Sequence, residues 1–384
     1  MSKLFVFNPD CEMAIANGDK FYMCPSNIQR MIKDLALLPA YLADADDAVW
    51  VENSRAARHF ENGLQRACKY VDDEALKVGD RTWRGEPWGL SPKICHWMAE
   101  KNLGEEWKAS WKEWFSRKTA QRGLGYLLSK GLVEEEEIIP HVFSSLEELK
   151  NIVKTGRWIV KAPWSSSGKG LLRLENGLQK KEKEWIGGIL KRQGYMMLEK
   201  HLTKVMDFAM EYYLKPEKVD FLGWSAFDTG EHGEYISNLV DSQENIEKKI
   251  ALLTGSEKLE ALKLEMPKML KYVLPDYKGH LGIDMMVYRN EQGMLQIQPC
   301  VEINLRYNMG IVALHLYSKY MQLGRSGSFN ISFDSRKGEA LERWKRLQQE
   351  ERVEIQDGRL ATGCIPLTPI TEETQFTAWL RTKK

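Results

Sequence analysis

The sequence predicts a mixed chain, α/β at its N-terminal end and α+β beyond, and three observations carry that reading. A buried strand at residues 3–7, a helix opening at Ser26 and a second strand at 49–51 give a strand–helix–strand spacing. An apolar strand at 158–160 starts a new unit after a helix that Gly156 ends. From Leu295 to Arg306 the odd positions Leu295, Ile297, Pro299, Val301, Ile303 and Leu305 are all apolar, while the even ones are Gln296, Gln298, Cys300, Glu302, Asn304 and Arg306. A period of two over that length is the mark of a strand with one face in a core.

Length and composition set the frame. At 384 residues the chain exceeds one small core and implies two or three lobes. Lysine plus arginine number 55 against 54 for aspartate plus glutamate, a formal charge of +1, so there is no global attraction for nucleic acid or for an anionic membrane. The short apolar run before Pro9 is expected to be neither a signal peptide nor a spanning helix. The six cysteines, at 11, 24, 68, 95, 300 and 364, show no Cys-x-x-Cys spacing, which fits reduced thiols and argues against zinc. A cytoplasmic protein is expected.

Taken in order, Lys3–Phe7 is a buried first strand stopped by Asn8-Pro9, and the loop behind it carries Asn8, Asp10, Glu12 and Asn17-Gly18. Polar loops at carboxyl ends of strands are where α/β sheets bind ligands. Ser26 is read as the cap of a helix with Ile28, Met31, Ile32 and Leu35 on one stripe, closed by Pro39. This makes a Rossmann-like lobe over residues 1–115, without the Gly-x-Gly-x-x-Gly of a dinucleotide site. Trp107, Trp111 and Trp114 recur at helical spacing and are read as core. The run Glu134–Glu137 is read as a solvated face, and Ser145 with Glu148 as a capping box. Strand 158–160 delivers Lys161 at its end, ahead of Ser165-Ser166-Ser167-Gly168-Lys169-Gly170. Small residues let backbone N–H groups approach anionic oxygens and the lysine adds fixed charge, so this is a phosphate-loop candidate, although not a Walker loop. Alone, it fits a hairpin tip equally well.

A strand at 195–198 leads into Glu199-Lys200-His201-Leu202, and residues 241–272 read as a helical insertion with a charged face. Strand 283–288 puts Asp284 opposite Ile283, Met285 and Val287, and the turn at 290–293 sets it beside the alternating strand. Glu302 and Asn304 then offer hard oxygen ligands side by side with Asp284, and Arg306 can meet an anion. Alone, Glu-x-Asn-x-Arg also fits the exposed face of an antiparallel sheet. His280 is read as an ordinary hydrogen-bonding residue and Cys300 as packing.

The order of these features is more specific than any one of them. Lys118, Lys161 with its Ser/Gly loop, Glu199 to Leu202, Gly-Ile-Asp284 and Glu302-x-Asn304-x-Arg306 together resemble the ATP-grasp superfamily over residues 116–312. The resemblance implies two α+β lobes clasping ATP, at 116–194 and 195–330, with 1–115 as the preceding α/β domain and 331–384 as a C-terminal appendage. It implies that Lys118 and Lys161 bind the phosphates and that Ser165, Ser166, Ser167 and Gly168 form a lid over them. Glu199, Lys200 and Leu202 are similar to the adenine-holding hinge of the biotin carboxylase branch. Asp284, Glu302 and Asn304 would hold magnesium, or manganese in its place, and Arg306 would be catalytic. The partners implied are small-molecule carboxylate and amine substrates, and a homodimer is allowed. The expected activity is a carboxylate–amine or carboxylate–thiol ligase working through an acyl phosphate. A kinase that stops at phosphoryl transfer and a nucleotide-binding module without turnover are the alternatives.

Overall fold

The computed structural model describes residues 1–383 apart from 79–82, 154–155, 166–169, 176 and 231–232. Near the N-terminus, β1 (Lys3–Val6), β2 (Ala48–Trp50), β3 (Lys69–Val71) and β4 (Arg84–Pro87) form a parallel sheet in the order β3-β2-β1-β4. Leu4, Phe5 and Val6 are all buried, as expected of a central parallel strand covered on both faces. The order reverses at β1, so a crevice opens outside the carboxyl ends of β1 and β4. Asn8 closes one side of it, donating from Nδ2 to the Gly89 carbonyl at 2.7 Å.

A second sheet is antiparallel, with β5 (His141–Phe143), β6 (Trp158–Lys161), β7 (Leu171–Leu174) and β8 (Met196–Lys200) in the order β5-β8-β6-β7. Helices Leu146–Ile152 and Lys180–Gln193 cover it over a core that includes Val160, Ile186, Met196 and Leu198. Ser145 Oγ accepts the Glu148 amide at 3.1 Å, the cap that the sequence predicts.

The third sheet has eight antiparallel strands. They are β9 (Thr203–Leu214), β10 (Val219–Thr229), β11 (Tyr235–Val240), β12 (Gly279–Arg289), β13 (Leu295–Asn304) and β14 (Gly327–Phe333), then, past a small ribbon of β15 (Glu354–Gln356) and β16 (Arg359–Thr362), β17 (Cys364–Pro366) and β18 (Phe376–Thr382). Their order is β13-β12-β9-β10-β11-β14-β18-β17. Residues 241–272 form two helices, Gln243–Thr254 and Ser256–Val273, whose Ile246, Ile250, Leu259, Leu262 and Met266 pack into the core beneath β9, β10 and β12. The segment expected as an appendage supplies β17, β18 and the last three residues of β14 to this sheet, and Ala378 and Leu380 share a core with Phe5 and Val49 of the first sheet.

Three local readings change. Trp111 and Trp114 lie in a 3-10 segment, Ala109–Phe115, with Trp107 ahead of it, and the rings are half-buried, with Trp107 and Trp111 5.6 Å apart against one core and Trp114 against the next. Residues three apart eclipse in a 3-10 turn, so Trp111 and Trp114 stack with ring centroids 6.2 Å apart, and the stripe bridges two cores. Ser26 is the first helical residue rather than its cap, a place taken by Pro25 with no side-chain bond. The acidic run is tethered: Glu134 accepts from Gln296 at 2.8 Å and Glu135 from Tyr288 at 3.2 Å.

Candidate active site

Register on the main sheet brings the predicted ligands together. β12 and β13 pair Asp284 with Glu302 and Gly282 with Asn304, and β9 sets Ala209 and Glu211 opposite Asp284 and Gly282. Cross-strand partners share a face. Asn304 Nδ2 donates to Asp284 at 2.9 Å, and Arg306 donates from Nη2 to Asn304 Oδ1 at 3.1 Å. Pro299 lies in β13, the sheet's edge strand, where its missing N–H is tolerated. There the pairing slips between Asp284 and Met286, and this bulge turns Cys300 into the core, where burial pushes its thiol far up. Packing, not nucleophilic chemistry, is its role.

Glu211 is the acidic residue in this row that the sequence reading left without a role. Its oxygens accept from Ser225 Oγ at 2.8 Å and Asn308 Nδ2 at 2.7 Å, and burial pushes its carboxyl up to about 7. Room for it comes from two glycines: a Cβ at Gly282 would stand 2.5 Å from one Glu211 oxygen, and at Gly310 2.1 Å from the other. Burial, then Glu302 and Glu211, push the Asp284 carboxyl well above the carboxylate range. Carboxylates crowded this way suit a cation. Among the described residues no three His, Cys, Asp or Glu side chains form a ready metal cage.

The second sheet faces this row. Lys161, buried at the end of β6, forms an ion pair with Glu199 of β8, so the predicted phosphate and adenine groups touch each other. Lys200 pairs with Glu137, and Leu202 packs at the margin of the main-sheet core. Ser165 lies within reach of Arg117, whereas Ser166, Ser167 and Gly168 fall outside the described residues. Lys118 stands with Nζ 3.7 Å from the Tyr195 ring centroid. The residue before it, Arg117, connects the two lobes. Its Nε donates to the Ala162 carbonyl at 3.1 Å, Nη2 to Ser165 at 3.4 Å, and Nη1 meets Glu302 at 3.0 Å. Helix phase was the available signal: in Arg117–Ser129, residues 117, 120, 124 and 127 are the buried stripe, and Lys118 lies off it.

The segment after β1 reaches the site as well, with Glu12 in a short helix, Cys11–Asn17, and not in the expected loop. Arg306 Nε donates to Glu12 at 2.8 Å, and Gly89 forms an isolated antiparallel bridge with Arg306. Asp10 is held by Lys93 at 2.7 Å. A groove of about 670 Å3 along β9–β11, β14 and β18 contains none of the predicted residues. A cavity of about 300 Å3 between the first sheet and the end of β13 does, since Arg306 lines it.

No family model and no curated protein matches this sequence. Solved structures do match, over nearly the whole chain. N5-carboxyaminoimidazole synthetase from Staphylococcus aureus, complexed with ADP, is 12% identical with a TM-score of 0.52, covering 100% of this chain and 93% of that one. The biotin carboxylase domain of the Hydrogenobacter thermophilus 2-oxoglutarate carboxylase, with magnesium ADP and bicarbonate, is 13% identical with a TM-score of 0.55, covering 99% and 86%. L-amino acid ligase from Bacillus licheniformis is 15% identical with a TM-score of 0.50, covering 100% and 93%. At these identities the likeness is one of fold.

Proposed function

We propose that this chain, which has the ATP-grasp fold, is an ATP-dependent ligase that activates a carboxylate as an acyl phosphate for attack by an amine or similar nucleophile, with magnesium ATP bound between the two lobes. One observation supports this above the rest. Asp284, Glu302 and Asn304 line one face of two paired strands with Arg306 just past the strand end, and Arg117 ties that face to the loop behind Lys161. Neighbours of the same fold hold ADP or magnesium ADP, which supports a nucleotide in this cleft.

Lys161 and Arg117 are placed to exchange Glu199 and Glu302 for phosphate oxygens, as fixed cations that need little rearrangement. Glu199, Lys200 and Leu202 form the adenine-side hinge. Asp284, Glu302 and Asn304 would hold magnesium, which when bound neutralises phosphate charge. The acid's carboxylate oxygen bonds to the γ-phosphorus as the bond to ADP breaks. The amine nitrogen then bonds to the acyl carbon, inorganic phosphate leaves with the C–O bond, and the nitrogen gives up a proton. Arg306 meets the oxyanion of that second step. Ser165 to Gly170 would exclude water from the acyl phosphate. The described cysteines are all free and buried, which supports a reducing, cytoplasmic setting, and no described helix is long and apolar enough to cross a membrane.

The test is product stoichiometry. ADP release that requires both an acid and an amine is the expected result. ADP release with a single acceptor would make the protein a kinase, and tight ATP binding without ADP would make it a binding module.

A further inference from the structure

The cavity that Arg306 lines runs along β4, the edge strand of the first sheet, past its carboxyl end to Leu90, and meets the end of β13 there. Its position relative to the candidate metal row follows from register. On one face of β9 and β12, Asp284 with Ala209 is followed by Gly282 with Glu211 and then by His280 with Tyr213, two residues at a time. The last pair lines the cavity. Four residues of strand span about 13 Å, so a small molecule with one end beside Arg306 has its body in the cavity and its reactive end toward the metal row.

The walls are aromatic. Trp88, Tyr213, Tyr277, His280 and Tyr307 all contribute, and the His280 ring centroid is 4.1 Å from Tyr307 and 4.6 Å from Tyr213. Burial holds the imidazole neutral, its pKa pushed down to about 3. The acidic groups here are engaged: Glu86 is bonded to Arg84 at 2.7 Å and to the Tyr307 hydroxyl at 2.9 Å, and Glu105 at the rim to Lys108 at 2.8 Å. Arg306 uses three of its five N–H groups on Glu12, Asn304 and the Tyr307 carbonyl, leaving two for an anion. At about 300 Å3 the space suits one ring with a short acid arm.

We propose that this cavity is the acid-substrate subsite and that it takes a small aromatic or heteroaromatic carboxylate, its carboxylate at Arg306 and its ring among Tyr213, His280 and Tyr307. The inference rests on the ligase reading for its meaning but is tested apart from it. Benzoate, cyclohexanecarboxylate and benzylamine are titrated into the full chain with magnesium and a non-hydrolysable ATP analogue, followed by calorimetry. Benzoate is expected to bind at least threefold tighter than cyclohexanecarboxylate and at least tenfold tighter than benzylamine. Tyr213→Leu should weaken benzoate fivefold or more while Tyr213→Phe restores it, and His280→Asn, a second and independent variant, should weaken it too. Nucleotide affinity, measured separately, should be unchanged in all three. Benzylamine binding as tightly as benzoate, no saturable benzoate binding, or benzoate affinity indifferent to both ring losses in folded protein would overturn the subsite. Loss of the subsite with nucleotide binding intact leaves the ligase reading standing. Benzoate binding as expected without any nucleotide binding supports the subsite and removes the ligase reading.

Discussion

Arg306 is the residue on which chemistry and packing meet. If its guanidinium meets charge that develops only after ATP has bound, Arg306→Lys keeps nucleotide affinity within a fewfold and loses turnover. Loss of one well-placed donor to an oxyanion costs about 3 kcal/mol, on the order of a hundredfold in rate. The bonds to Glu12 and Asn304 also go, so melting temperature should fall, and activity must be referred to folded protein. Wild-type turnover in folded Arg306→Lys would sink the catalytic role. His280 gives a pH test. Its imidazolium is pushed down to about 3 by burial, with Lys3 and His315 adding to it, from an ordinary 6.5. Between those values the unfolded chain binds more protons, so stability is full above 6.5 and falls as the pH drops. From pH 7 to 5 this group alone costs on the order of 2 kcal/mol. Glu211, held up to about 7 from 4.5, acts in the opposite sense, because there the folded state carries the extra proton. His280→Phe, compared with wild type at each pH by denaturant unfolding, isolates the histidine. The variant should lose less stability on acidification, and parallel curves would show that the imidazole titrates freely in the folded protein.

At the scale of elements, two glycines of opposite meaning test the packing. Gly282 lies in β12 under Glu211 and Asn308, where an added Cβ would be 2.2 Å from the Asn308 amide nitrogen. Gly282→Ala should destabilise by about 2–4 kcal/mol and disturb the candidate metal row with it. Gly125 is exposed inside the helix Arg117–Ser129 with nothing near a Cβ, so Gly125→Ala should stabilise by up to about 1 kcal/mol. Equal effects in urea unfolding would contradict the packing drawn around Glu211. Alternation from Leu295 announced β13 because one face meets a core, and it could not show the bulge at Pro299, which depends on pairing with β12. The phase of the helix after Ser116 is written in Ala120, Leu124 and Leu127, which put Arg117 on the buried stripe and Lys118 off it.

For the whole molecule, the lobes should respond together to nucleotide. A ligand at a hundredfold over its Kd adds about 2.7 kcal/mol to the folded state, which for a chain of this size raises Tm by roughly 3 °C. Magnesium and ATP together should produce this shift, and Glu302→Gln should lose most of the magnesium-dependent part. An unchanged shift in that variant would remove Glu302 from the metal site. The magnitude depends on both lobes because Arg117 and Lys161 lie on one side of the cleft and Glu302 on the other.

Periodicity and turn chemistry encode, each within a dozen residues, the classes of element, the period-two strand with Glu302, Asn304 and Arg306, the strand-end Lys161 and the neighbouring Asp284. Tertiary structure alone decided which distant side chains meet. Glu12 and Arg306 are 294 positions apart and share a hydrogen bond, and Glu211 became part of the row only when β9 paired with β12 opposite Gly282. The C-terminal strands join the main sheet by pairing β14 with β11 and β18, partners that no local pattern names. Local signals report how a segment hides its own apolar face. The aromatic cavity along the edge of the first sheet is built from five separate stretches, so its shape exists only once those faces have been packed against one another.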